Sequence, residues 1–190
     1  ATARGATLVP SFDDRCIIAG QGTLGLELMD QAAAMGASLE VLVGPVGGGG
    51  LMGGVGVAAK ARRPSVEIWG VEPEGFDDTR LSLAAGTRRG ASPTVRSLCD
   101  ALESPMPGEL TFPLLQATLA GIVTVADAEV AEAMRVAFDI LKLVVEPGGA
   151  VALAALLTGR IAARGRTVAI ILSGANVDPA LFARVLRAEL

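Results

Sequence analysis

Short runs of β-branched and aliphatic residues alternate with longer Ala/Leu-rich stretches along this chain. Residues 39–46 carry such a run and predict a strand. Residues 51–61 predict a helix whose basic end, Lys60-Ala61-Arg62-Arg63, suits the negative end of the helix dipole, and Pro64 stops it. A second strand is expected over 66–71, closed by Glu72-Pro73, and a short third one over 122–125. Asp127 is placed to cap a helix running to about 143, with Glu129 and Glu132 in its first turns. Residues 149–163 predict another apolar helix. Residues 167–172 are almost continuously hydrophobic, as a strand buried on both faces should be. The segment 77–115 is the least periodic and is assigned only loosely. Strands alternating with helices imply an α/β fold with a mostly parallel twisted sheet and flanking helices.

Composition narrows the chemistry. With 190 residues, 51% apolar and 19% charged, the chain can bury one core and is not disordered. It has no histidine, which removes Ser-His-Asp and Cys-His hydrolysis and every His-based zinc site. Cys16 and Cys99 cannot form a zinc cluster or a disulfide framework; they suit small packing roles in a reducing, cytoplasmic setting. A net charge of -4, 3% aromatic residues and no tyrosine argue against a nucleic-acid partner. Residues 41–59 are uncharged and long enough to raise the question of a membrane span, but the glycines in their middle fit a strand, a loop and a buried helix better, so no membrane partner is expected. The first residues carry no apolar signal-like run, and the chain does not begin with Met, so a processed product or a piece of a longer protein is expected.

The run Gly47-Gly48-Gly49-Gly50 between a strand and a helix needs a reason, because each glycine costs backbone entropy. One reading is a tight, closely packed turn. Another is an anion cradle, in which residues without Cβ let several N–H groups approach one phosphate at a positive helix end. No Lys-Ser/Thr follows, which disfavours a nucleoside-triphosphate loop. Two ligands stay open. Gly48-x-Gly50-x-x-Gly53, with Glu72 as the ribose-binding acid, matches the dinucleotide fingerprint. A small phosphorylated cofactor such as pyridoxal phosphate also fits.

Further segments favour the second ligand. Phe12-Asp13-Asp14, Ile18-Ala19-Gly20-Gln21-Gly22-Thr23, Pro45-Val46 with the glycine run and Leu51, Val71-Glu72-Pro73, Val145-Glu146-Pro147-Gly148-Gly149-Ala150, and Leu172-Ser173-Gly174-Ala175-Asn176-Val177-Asp178 occur in that order. Together they resemble the threonine/serine dehydratase and serine racemase family, pyridoxal-phosphate enzymes of fold type II. The resemblance covers essentially the whole chain. It implies that Gly47, Gly48, Gly49, Gly50 and Leu51 hold the cofactor phosphate and that Ser173 meets the pyridine nitrogen. A neutral hydroxyl there would not hold the nitrogen protonated, which favours elimination of a β-hydroxyl over a long-lived carbanion. It implies a place for Glu146 near the cofactor ring, a helix N-cap being the plainer reading. It further implies a site for Mg²⁺ or Ca²⁺ formed by Glu72, the Phe76 carbonyl and Asp78; the alternative is a solvated acidic loop of Glu72, Glu74, Asp77 and Asp78. Asp100 falls where relatives carry an Ala-Asp-Gly stretch, although its neighbours here are Cys99 and Ala101.

The family's Schiff-base lysine and its Ser-x-Gly-Asn substrate loop lie upstream of the segments found here, and Lys60 and Lys142 match neither. The resemblance thus implies that residues 1–190 are the C-terminal part of the cofactor-binding large domain, without the small substrate domain or the lysine segment. It implies an N-terminal portion of the same enzyme as partner, and a homo-oligomer, a dimer, when complete. The expected activity is conversion of a small β-hydroxy amino acid to a 2-oxo acid and ammonia, with serine racemisation and hydroxyaspartate dehydration as competitors. Outside the family, a nicotinamide-binding module and a non-catalytic regulatory domain remain open. The stretch Pro107-Gly108-Glu109-Leu110-Thr111-Phe112-Pro113 has no physical account at this level.

Overall fold

Among the described residues, four parallel strands form the sheet, in the order β3-β2-β1-β4. They are β1 (Val41–Pro45), β2 (Glu67–Pro73), β3 (Gly121–Val125) and β4 (Val168–Ile170). The structure, a computed structural model, describes residues 5–91, 94 and 96–190. The helices are α1 (Arg15–Ala34), α2 (Gly50–Arg62), α3 (Asp78–Ala85), α4 (Thr111–Thr118), α5 (Asp127–Val136), α6 (Pro147–Leu157) and α7 (Pro179–Leu186). No helix among the described residues is long and apolar enough to cross a membrane.

The pleat sorts the core into two layers. Val41 and Val43 of β1 pack with Val130, Met134 and Val151 of α5 and α6, whereas Leu42 packs on the other face with Met52, Val55 and Leu115 of α2 and α4. This is the period of 2 expected of a strand covered on both sides. Both faces of β1 are therefore sealed, and all five of its residues are buried. Helix α1 joins the second layer by glycine contacts. Gly22 and Gly25 face α2, and a Cβ at Gly25 would lie 2.9 Å from the Val55 carbonyl oxygen.

Several expectations are corrected. Strand β4 is half-exposed rather than buried on both faces, because it is the edge of the sheet. Helix α5 ends at Val136 and gives way to a π-helical turn (Ala137–Leu141), closed by Lys142 in the left-handed region at φ 60°. Helix α6 stops at Leu157, and Gly159 at φ +73° turns the chain away, so residues 158–163 are not helical. Asp127 is the first residue of α5, not its cap; its carboxylate accepts from the Ser97 hydroxyl at 2.6 Å and the Leu98 N–H at 3.0 Å. Cys99 is a packing residue, but Cys16 is exposed.

Candidate functional site

The chain leaves β1 toward β2 and returns to β4 from beyond β3, so the connections at β1 and β4 run in opposite directions. Parallel sheets open a crevice at the carboxyl ends of such a strand pair. A cavity of about 380 Å³ lies there, within the ~300–1,000 Å³ typical of small-molecule sites. The residues after β1 and β4 line it: Gly47, Gly48, Gly49, Gly50 and Leu51 from one strand end, Ser173 from the other, with Glu146 and Gly148 from the start of α6. Phe12 and residues 100–105 complete the wall. The structure thus brings the seven cofactor-contact candidates into one cavity, and Asp100 with them.

The glycine run is shaped by what surrounds it. Gly49 has φ +92°, where a Cβ would be strained and would sit 2.8 Å from Leu115 and 2.9 Å from the Thr111 hydroxyl. A Cβ at Gly48 would run into the Phe12 ring. The loop's carbonyls are engaged: Thr79 donates to Gly47 O at 3.4 Å, the buried Thr111 hydroxyl to Gly48 O at 2.6 Å, and the Gly53 N–H to Gly49 O at 2.8 Å. Among the described residues, no hydrogen bond is donated by the backbone N–H of Gly47, Gly48, Gly49 or Gly50. Donors spare beside a cavity, at the start of a 13-residue helix, favour negative charge.

The stretch from Pro107 to Pro113 now has an account. The Asp13 carboxylate accepts from the N–H groups of Glu109 and Leu110 at 2.8 Å and Thr111 at 3.3 Å, capping α4 from a position far away in sequence. Gly108 donates to Gly48 O at 3.2 Å, and a Cβ there would strike the Asp13 carboxylate. Sequence reasoning missed this contact, and the wall at residues 101–105 beyond Asp100, because neither has a periodic signal. The acidic pair Asp13-Asp14 was the available hint; Asp14 caps α1.

Glu146 occupies the N-cap position of α6 but makes no capping bond with its side chain. Its Oε2 accepts from the Asn176 N–H at 2.9 Å, and its own N–H donates to Gly174 O at 3.0 Å. A Cβ at Gly149 would lie 2.9 Å from Gly174 N and O. Glu146, half-buried, therefore ties the loop carrying the exposed Ser173 to the first turn of α6.

Glu72 and Asp78 stand outside the cavity lining, at the end of β2 and the start of α3. They are 1% and 2% exposed, so the solvated-loop reading fails for both; it holds for Glu74, which is exposed. The Glu72 oxygens accept from the Thr79 N–H at 3.0 Å and the Arg80 N–H at 2.8 Å. Buried and outside the cavity that the glycine loop lines, Glu72 is not placed as the ribose acid of a dinucleotide site there, which removes the main support for the nicotinamide reading. Burial pushes the Glu72 carboxyl up to about 8, with the neighbouring Asp78 charge adding to it and the two amides opposing it. Burial also raises Asp78 to about 6, and its Oδ2 has no hydrogen-bond partner among the described residues. Phe76 is buried between them in sequence. Among the described residues no group of three or more His, Cys, Asp or Glu is placed to hold a metal.

A carboxyl with a raised folded-state pKa binds more protons folded than unfolded. Its contribution to stability is therefore fully present below about 4.5 and is lost as pH rises through about 8. Calorimetry from pH 5 to 8 is expected to show Tm falling. Glu72→Gln loses one of the two amide contacts and is less stable at pH 5, but its Tm profile flattens; an unchanged slope would assign the pH dependence to other groups.

Lys60 donates to the carbonyls of Pro64 and Val66 at the far end of α2, and Lys142 is exposed; neither lines the cavity.

Comparison with known proteins agrees with this geometry. The family described as pyridoxal-phosphate dependent enzyme matches residues 1–174. The chain is 39% identical over 185 residues to the L-threonine ammonia-lyase of Thermotoga maritima, covering 96% of this chain and 44% of that protein. It is 37% identical over 179 residues to the serine racemase of Arabidopsis thaliana, covering 92% and 52%. The crystal structure of a threonine deaminase from T.th. superposes with a TM-score of 0.87 at 43% identity, over 93% of this chain and 59% of that one. The chain spans about half the length of the curated relatives it matches.

Proposed function

We propose that this chain, which belongs to the pyridoxal-phosphate dependent enzyme family, supplies the phosphate and pyridine contacts of an ammonia-lyase acting on a small β-hydroxy amino acid. The observation that carries the reading is the single cavity at the ends of β1 and β4, with the spare amides of residues 47–50 and the hydroxyl of Ser173 on its lining. When bound, pyridoxal phosphate supplies the electron sink that makes the α-proton of an amino acid removable. The glycine amides and the positive end of α2 hold the phosphate dianion. Leu51 covers it. Ser173 offers the ring nitrogen a hydroxyl instead of a carboxylate, and Glu146 keeps that hydroxyl's loop in place through Asn176 and Gly174. The net change is loss of ammonia to give a 2-oxo acid, because the water eliminated from the β-carbon is taken up again in the hydrolysis that releases ammonia.

The attacking amine is assigned to an N-terminal portion of the same enzyme, because neither lysine of this chain lines the cavity. Exposed Phe138, Ile140, Leu141, Leu143 and Val144 are surface that such a portion, or a second copy in a homodimer, would cover. The large-domain assignment of residues 1–190 belongs to the same proposal. Two unpaired cysteines suit a cytoplasmic setting. A divalent cation, Mg²⁺ or Ca²⁺, at Glu72, the Phe76 carbonyl and Asp78 is supported by the buried Asp78 Oδ2, which has no partner among the described residues; either chloride salt should then raise Tm and flatten its fall with pH.

The test pairs this chain with its N-terminal portion and adds pyridoxal phosphate. Visible absorbance and ammonia release from L-threonine or L-serine are expected. Formation of D-serine without ammonia would reassign the activity to racemisation, and neither signal would contradict the proposal.

A further inference from the structure

We infer that Thr111 is a positioning residue for the phosphate cradle, acting through the Gly48 carbonyl; the inference rests on the phosphate reading above. A peptide unit is planar, so the direction of the Gly48 carbonyl fixes the direction of the Gly49 N–H. That carbonyl receives two bonds from one place in the fold: the Thr111 hydroxyl at 2.6 Å and the Gly108 N–H at 3.2 Å. Thr111 is fully buried, and its hydroxyl also closes the space a Cβ at Gly49 would need, at 2.9 Å. Its backbone is fixed in turn, because the Asp13 carboxylate gathers the N–H groups of Glu109, Leu110 and Thr111. The first turn of α4 therefore turns the 48–49 peptide so that its N–H is free for a ligand while its oxygen is satisfied away from it.

The role is separable from plain packing, because it concerns only the phosphate end of the cofactor. Thr111→Val keeps the shape and removes the hydroxyl; Thr111→Ser keeps the hydroxyl. Fluorescence titration of the protein with pyridoxal 5′-phosphate and with pyridoxal, which has no phosphate, reads the difference. Thr111→Val is expected to weaken pyridoxal 5′-phosphate about tenfold, the loss of one well-placed hydrogen bond, and to leave pyridoxal unchanged. Thr111→Ser should restore the wild-type ratio of the two affinities. If Thr111→Val does not fold, Thr111→Ala serves in its place with the same expectation. Equal weakening of both ligands, or of neither, overturns the inference while the phosphate reading stands. A wild-type protein that binds the two ligands equally overturns the phosphate reading itself.

Discussion

Replacing Gly49 by alanine is expected to weaken pyridoxal phosphate binding by at least about a hundredfold while leaving the sheet intact. Two independent costs meet at this residue. Its φ of +92° places any Cβ in a backbone region that costs roughly 1–2 kcal/mol. The added atom would also sit 2.8 Å from Leu115 and 2.9 Å from the Thr111 hydroxyl, both held by α4. The cheapest relief is to rotate the peptide units on either side, which turns the amides of the cradle away from the ligand. Each misdirected donor to a charged group loses about 1.5–3 kcal/mol, so two account for the hundredfold. Titration with pyridoxal phosphate, with far-ultraviolet circular dichroism as the control for folding, measures this. Near-wild-type affinity would show that the cradle tolerates a side chain and does not depend on this peptide geometry.

The second large effect falls on stability. Gly54 faces α1 across the helix pair. A Cβ there would collide with the Ile18 carbonyl oxygen and lie 2.7 Å from the Gly22 nitrogen. Both are backbone atoms within a 20-residue helix and cannot step aside singly. Gly54→Ala must push α1 and α2 apart along their whole contact, and overpacking of this kind costs about 1–3 kcal/mol or more. A fall in Tm of about 5–10 °C is expected for a domain of this size. Gly20→Ala on the same helix, where a Cβ meets nothing within 4 Å, is the matched control and should not destabilise. Equal behaviour of the two variants would contradict the packing described for α1 and α2.

The strands were legible because their residues answer to local rules: β1 is buried on both faces and carries an unbroken apolar run. The same rule misled at β4, whose run is as apolar although the strand lies at the sheet edge and is half-exposed, because composition does not record which neighbour covers a strand. Helix α1 went unassigned; its buried positions are Gly22, Gly25 and Met29, so two of three carry no hydrophobic side chain to mark the buried face. The cavity residues were readable from ordered motifs at both strand ends. The bonds from Thr111 and Asp13 were not, since they join residues 63 and about 97 positions apart and depend on where the sheet places α4. Glu72 and Asp78 illustrate the same gap. Four acids in a short stretch suggest a wet surface, yet Glu72 and Asp78 are buried.

The most direct test of the account is a crystal structure of the protein with pyridoxal 5′-phosphate bound. Phosphate oxygens are expected within hydrogen-bond reach, about 2.7–3.2 Å, of the N–H groups of Gly47 to Gly50, with the ring nitrogen at a similar distance from the Ser173 hydroxyl. A phosphate seated elsewhere, or a ring nitrogen turned away from Ser173, would contradict it.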